Sequence, residues 1–469
     1  MVFVFFFFKD TATTEIDTLS LHDALPISVQ AHSPAAAVTA RPGPTAWAVL
    51  ATLCFIYVLN FLDRQLLSIL AKPIQDELGV TDGQLGLISG LYFALFYCIL
   101  ALPVGWLADR TNRVKVLAFS CGLWSAATAA CGMAGSYPQL AAARMAVGVG
   151  EAGGVPPSYA IISDYFPSGR RGTALSLFNL GPPIGQAIGI AFGASIAAAY
   201  SWRLAFLCVG AVGVVTAVGV WIFVREPRRG GLDAPAPAPA EVLDATAAAA
   251  PQSGFWSTCR LFFSHPVLLR TALACAATQF VTYAVLNFTT LFLMREKGMS
   301  LEQVALWYAL LIGVGVSAGM FISGRLIDRY APRWKAAYAY IPAAGLALAA
   351  PLFVGFVWAP SWPLALAFLA LPTALNYFYL SPAVTLVQEE VRPDQRTLAG
   401  ALLLLVMNLI GLGLGPTYLG FMSDWLRPSH PDNSLQLAFY SLVPFYGVAI
   451  LAFLWLARAI RREGEEAKA

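Results

Sequence analysis

Apolar runs of about twenty residues recur along this chain, separated by short charged loops, and that pattern leaves few folds open. A run of this length spans the hydrocarbon core of a bilayer as a helix. Lipid offers no partner to backbone N–H and C=O groups, so only helices or a closed barrel can cross it, and runs of this length without two-residue alternation select helices. Twelve such segments can be placed. The first half reads 46–70, 85–107, 114–133, 138–163, 172–198 and 203–224, and the second reads 267–293, 301–324, 335–357, 362–387, 397–420 and 435–459. Only 12% of the 469 residues are charged and 58% are hydrophobic. A soluble domain carries about twice that charged fraction.

Lys and Arg sort by loop. One set of loops holds Arg110, Arg113, Lys115, Arg170, Arg171, Arg225, Arg228, Arg229, Arg329, Arg333, Lys335, Arg392 and Arg396, and the tail adds Arg458, Arg461 and Arg462. The alternate loops hold only Lys72, Arg203, Arg295, Lys297 and Arg427. The positive-inside rule then puts both termini in the cytoplasm of a bacterial-type inner membrane, and an even helix count requires both on one side.

The expected organisation is two six-helix halves, 46–224 and 266–459, joined by a cytoplasmic linker at 225–265. The linker contains APAPAPAEVLDATAAAAP, which has too little apolar content to fold. Residues 1–28 differ from the rest. Their Phe run is too short to span and lacks the flanks of a signal peptide. The string resembles translated adapter sequence, so a non-native leader is expected there, followed by a disordered arm at 29–45, with a cytoplasmic tail at 460–469.

The halves repeat one another. Gly105-Trp-Leu-Ala-Asp109-Arg110 closes the second segment and Gly324-Arg-Leu-Ile-Asp328-Arg329 closes the eighth. Gly181-Pro182 in the fifth echoes Gly415-Pro416 in the eleventh, each after an Asn (Asn179, Asn408). Two related halves suit rocking about a central cavity, with access alternating between sides. The stretch Gly105–Arg113, ending in Arg110 and Arg113, and its counterpart Gly324, Asp328 and Arg329 are the expected gate: a glycine for close approach, and charges to hold one conformation shut.

Four ionisable residues lie inside apolar segments: Asp63 and Arg64 in the first, Arg144 and Glu151 in the fourth. Each costs at least a few kcal/mol there unless paired or wet. Asp63 and Arg64 are adjacent and point about 100° apart, so each seeks a partner on another helix. Arg144 and Glu151 are two turns apart and share a face. Asp63 with Arg144 and Arg64 with Glu151 is the expected pairing, and Gly148, Gly150, Gly153 and Gly154 allow a neighbouring helix to press close. A buried carboxyl keeps its proton in apolar surroundings and releases it beside an arginine. Opening and closing could alternate those surroundings, which outlines proton coupling with Glu151 leading and Asp63 second. The competing reading is a static charge lock.

The substrate cavity is expected among Asn60, Gln186, Tyr283, Asn287, Asn376, Tyr377 and Asn408. Buried amides need partners, and aromatics facing charges suit an amphipathic substrate. The seven cysteines form no CxxC and read as small buried hydrophobes, with no metal site. No enzyme constellation or nucleotide-binding motif occurs. The expectation is a non-enzyme without cofactor, a monomer whose partners are a small amphipathic substrate, protons and the bilayer, and no nucleic acid.

The stretch GWLADRTNR between the second and third of twelve segments resembles the signature loop of the major facilitator superfamily. Asn179–Gly189 resembles its Gly-Pro motif of helix five. Asn60–Gln65 (NFLDRQ), Arg144–Pro157 (RMAVGVGEAGGVPP) and GWLADRTNR together resemble the spinster branch. The resemblance implies an all-α membrane fold of twelve helices in two pseudo-symmetric halves. It implies proton-linked transport, with lysophospholipid and sphingoid-lipid export in animal members, and it matches Asp63, Arg64 and Glu151 to positions credited with proton coupling. The first- and fourth-segment motifs also resemble anion:cation symporters, which take up sugar acids and organic anions. A proton-coupled exporter of an amphipathic lipid-like or drug-like molecule is therefore the leading expectation. An organic-anion symporter is the first alternative, and a non-transporting receptor or scaffold the alternative of another class.

Overall fold

The computed structural model describes residues 43–228, 255–392 and 395–466. The expected leader, nearly all of the arm, the low-complexity part of the linker and the last residues of the tail lie outside the described residues.

Every regular element among the described residues is helical. The first segment is α1 (Pro44–Ile69), followed by the short α2 (Ala71–Leu78). The second is α3 (Asp82–Ser89) and α4 (Leu91–Arg110), bent at Gly90, and the third is α5 (Arg113–Met133). The fourth is α6 (Tyr137–Glu151) and α7 (Val155–Tyr165). The fifth is α8 (Ser168–Phe178) and α9 (Gly181–Ala199), and the sixth is α10 (Trp202–Phe223).

The second half opens with α11 (Phe255–Ser264), which occupies the end of the run expected as unstructured linker. Its buried Thr258 and Phe262 lie one turn apart, so one face docks, whereas the Ala/Pro run before it has nothing to bury. The seventh segment is α12 (Pro266–Arg295). The eighth runs through α13 (Leu301–Gln303), a π-helical stretch at Val304–Tyr308, and α14 (Ala309–Tyr330). The ninth is α15 (Ala337–Trp358), and the tenth is α16 (Trp362–Leu375) and α17 (Leu380–Glu389). The eleventh is α18 (Arg396–Met407), a π-helical stretch at Asn408–Leu414, and α19 (Gly415–Leu426). The twelfth is α20 (Ser434–Tyr440) and α21 (Val443–Glu466).

Eleven of these runs are long and apolar enough to cross a membrane. The twelfth crossing is the fourth segment. It is broken after Glu151 because Pro156 and Pro157 cannot donate to the carbonyls of Ala152 and Gly153, one turn earlier. Its polar residues and its break lie where the charges sit.

Small residues set the packing that matters here. Gly181, Gly185, Gly189 and Gly193 recur every fourth position on α9 and lie on α1 from Tyr57 to Leu66. A Cβ at Gly189 would come 2.8 Å from the Leu62 carbonyl oxygen. The α1 helix with Asp63 and Arg64 is thus fixed in register against its neighbour. In the second half, Gly411 and Gly415 meet Gln279 and Phe280 of α12, so the eleventh segment packs on the seventh as the fifth packs on the first. Across the halves, α3 meets α19, α14 meets α9, and α1 meets α12.

Candidate functional site: a buried charge network in the first half

The four ionisable residues of the first and fourth segments converge in one buried network. Asp63 is fully buried, and Glu151 and Arg144 are 1% and 2% exposed. Arg144 Nη1 lies 3.3 Å from Asp63 Oδ2. Arg64 donates from Nε to Glu151 Oε2 at 2.7 Å, with Nη2 at 2.6 Å from the same oxygen. This is the pairing read from the sequence. The glycines of the fourth segment permit it: a Cβ at Gly148 would approach the Phe93 carbonyl oxygen to 2.8 Å, and one at Gly150 would overlap the Trp124 backbone nitrogen at 2.5 Å.

Aromatic rings surround the arginines. The Arg64 guanidinium lies 5.0, 4.9 and 5.2 Å from the ring centres of Phe61, Phe93 and Tyr97. Phe93 also lies 5.7 Å from the Arg144 guanidinium, so one ring serves both ion pairs. The Tyr97 and Tyr283 hydroxyls face Arg64, and Tyr283 belongs to the other half. Sequence reasoning missed Phe93 and Tyr97, because an aromatic in an apolar helix carries no distinguishing signal.

The expected cavity residues separate into groups. Asn60, one turn before Arg64 on α1, is buried, and its Oδ1 has no hydrogen-bond partner among the described residues. Gln186 on α9 faces the Tyr377 hydroxyl from across the interface. Asn376 and Tyr377 line a pocket in the second half with Thr282, Tyr308 and Thr373. Asn376 also donates to the Tyr446 hydroxyl at 3.0 Å. Asn408 accepts from Gln279 at 2.9 Å and Asn287 donates to the Tyr283 carbonyl at 2.9 Å, so these two amides are engaged within the helix packing.

The expected gate residues stand apart from the network. Arg110 lies over Trp106 of its own helix at 4.2 Å, and Arg329 lies over Tyr330 at 5.8 Å. Among the described residues, nothing would lie within 4 Å of a Cβ at Gly105, and only Ser381 of the same half, at 3.7 Å, near one at Gly324. Asp328 sits on α14 beside Arg325. Arg113 binds Asp164 at 2.6 Å and Glu226 at 2.7 Å, both within its own half. The Asp109 side chain lies outside the described residues. In this conformation the close approach expected at these glycines is absent among the described residues.

A bundle of crossing helices in two related halves around a buried charge network is the architecture of a membrane transporter. The Major Facilitator Superfamily profile matches residues 53–360. An MFS-type efflux pump of Mycolicibacterium smegmatis is 33% identical over 434 residues, 91% of this chain and 97% of that protein. A hexuronate transporter of Bacillus subtilis is 26% identical over 377 residues, 78% of this chain and 85% of that protein. The crystal structure of a bacterial homolog of the human lysosomal transporter spinster, inward-facing and unoccupied, matches with a TM-score of 0.81 at 29% identity, over 89% of this chain and 98% of that one. The chain belongs to the major facilitator superfamily, in its spinster-like branch.

Proposed function

We propose that this transporter is proton-coupled, works by alternating access, and exports an amphipathic lipid-like or drug-like molecule. Glu151 is the leading proton carrier, Asp63 the second, and Arg64 and Arg144 their charge partners. One observation carries the reading: Glu151 Oε2 takes both contacts from Arg64, while Oε1 is buried with no hydrogen-bond partner among the described residues. That oxygen can accept a proton without first displacing the arginine. Protonation then removes the charge that holds Arg64, and the guanidinium is free to turn toward Tyr283 and the second half.

The hydrogen bonds between the halves gather at the end away from the arginine-rich loops, so the positive-inside rule supports a cytoplasm-open state with both termini cytoplasmic. In the opposite state Gly105–Arg113 and Gly324–Arg329 close against each other. The substrate faces charges and rings on one wall and the Asn376–Tyr377 pocket on the other, which supports an amphipath. The efflux-pump relative supports export.

A sugar-acid symporter is the second reading, favoured by the hexuronate relative. Against it, Arg144 is held by Asp63 and Arg64 by Glu151, so within the network a carboxylate gains an arginine only when Glu151 releases Arg64. The test is uptake into inside-out proteoliposomes of lysophospholipids, lipophilic dyes and hexuronates, with and without an imposed pH gradient. Gradient-driven flux of the amphipaths supports export. Flux of hexuronates alone replaces it with the second reading, and flux indifferent to the gradient removes proton coupling.

A further inference from the structure

At the end of the bundle away from the gate loops, the two halves close on one carboxylate. Asp82, at the start of α3, is fully buried. Its Oδ1 accepts from Gln75 at 2.6 Å and from Arg295 Nη1 at 3.0 Å. Its Oδ2 accepts from Arg295 Nη2 at 3.0 Å, Ser423 at 2.6 Å and Arg427 at 3.1 Å. Gln75 belongs to the first half, and the other three donors come from the second. The second half also caps α3 directly: Asp424 accepts the backbone N–H groups of Asp82 at 3.1 Å and Gly83 at 2.8 Å. Further in, Thr417 donates to the Gly86 carbonyl at 3.1 Å and accepts from the Leu91 N–H at 3.2 Å.

None of these contacts serves the Glu151 network, and the interface they close is the one that must part when access switches. The closure is also joined to the network. Ser68 follows Arg64 by one turn on α1 and donates to the Leu286 and Asn287 carbonyls of α12, at 3.1 and 2.7 Å.

We propose that Asp82 is the latch of this gate, a positioning residue of the transport cycle. Its release from Arg295 and Arg427 opens the bundle on that side, and the Asp424 cap on α3 parts with it. A charge cluster suits a contact that breaks every cycle. The attraction of buried charges is largely offset by the water they give up, so opening returns that hydration and the closed state is not a deep well. An apolar seal of the same extent would lose free energy throughout opening. Five hydrogen bonds to one carboxylate meanwhile fix the register in which the halves close.

The proposal rests on the alternating-access reading, which flux tests separately. The test of the latch is hydrogen–deuterium exchange on the full chain in nanodiscs, wild type against Asp82→Asn. The latch predicts several-fold faster exchange in 82–90 and 415–427, together with slower exchange in 105–113 and 324–333, as one end opens and the other closes. Faster exchange in 82–90 and 415–427 without protection at the other end is local fraying and overturns the proposal, as does no change. Arg427→Gln removes a single partner and shifts both ends in the same directions by less. If Asp82→Asn fails to insert, that variant decides by the same criteria. Wild-type flux with no reciprocal shift refutes the latch alone. Absence of flux in the wild type refutes the transport reading by its own test.

Discussion

Arg64 places Nε and Nη2 on a single oxygen of Glu151, at 2.7 and 2.6 Å, and leaves the other oxygen without a hydrogen-bond partner among the described residues. A bidentate fork would use both oxygens and give a stronger, more permanent bond. The one-sided contact keeps the pair breakable. Arg64→Ala is therefore expected to lower gradient-driven flux by more than about tenfold, a loss of at least ~1.4 kcal/mol of coupling, and to leave the fold intact. Flux assays and size-exclusion profiles of the same preparations check both halves of that statement.

The Asp63–Arg144 pair has the opposite character. Both side chains are at most 2% exposed, so removing one leaves a buried charge without its counter-ion. Breaking a buried pair costs about 3–5 kcal/mol, whereas removing both partners costs far less. Asp63→Asn and Arg144→Gln should each lower the melting temperature in detergent by several degrees, and the double variant by less than their sum. Additive losses would make the pair incidental.

Phe93 lies under both guanidinium groups, 4.9 Å from Arg64 and 5.7 Å from Arg144. Each such contact contributes about 0.5–2 kcal/mol when desolvated. Phe93→Leu keeps the apolar volume and removes the ring face. It should reduce flux several-fold, whereas Phe93→Tyr should retain most of it. Equal flux in both variants would reduce the ring to packing.

The glycine stripe of α9 gives a packing prediction with an internal control. A Cβ at Gly185 would meet the Val58 carbonyl oxygen at 2.5 Å, while nothing among the described residues lies within 4 Å of one at Gly219. Gly185→Val should abolish the monodisperse peak of the purified protein. Gly219→Val should leave it unchanged, because overlap with a neighbouring backbone has no cheap relief.

Glu77, at the end of α2, supplies a pH signature outside the crossing segments. Hydrogen bonds from Arg203 and Trp202 hold its carboxyl below its ordinary value near 4.5. A carboxyl lowered in the folded state stabilises above its ordinary value and loses that contribution as the pH falls. The melting temperature of wild type should exceed that of Glu77→Gln at neutral pH, and the gap should close as the pH falls below the carboxyl's ordinary value. The gap is small, since the group is well exposed and screened.

The crossing segments were legible because lipid punishes every unpaired backbone group, and twenty apolar residues in a row have no other use. The pairing of the four charges was legible for a related reason: four ionisable groups on two helices, two of them adjacent, admit few mutually satisfying arrangements. The Asp82 cluster was not. Its arginines lie 213 and 345 residues away, and an Asp at a helix start reads as an ordinary first-turn residue. The one available signal was that Arg295 and Arg427 are among only five basic residues in the sparse loops. Phe93 was hidden among 30 phenylalanines. The π-helical stretches at Val304–Tyr308 and Asn408–Leu414 carry no periodicity that separates them from α-helix over so few residues.

The central claim is that Glu151 carries the coupled proton. Proteoliposomes containing a pH-sensitive dye, with wild type or Glu151→Gln, test it when an amphipathic substrate is added without an imposed gradient. The account predicts a substrate-dependent pH change with wild type and none with Glu151→Gln, while substrate binding persists in both. An undiminished pH change with Glu151→Gln would contradict it.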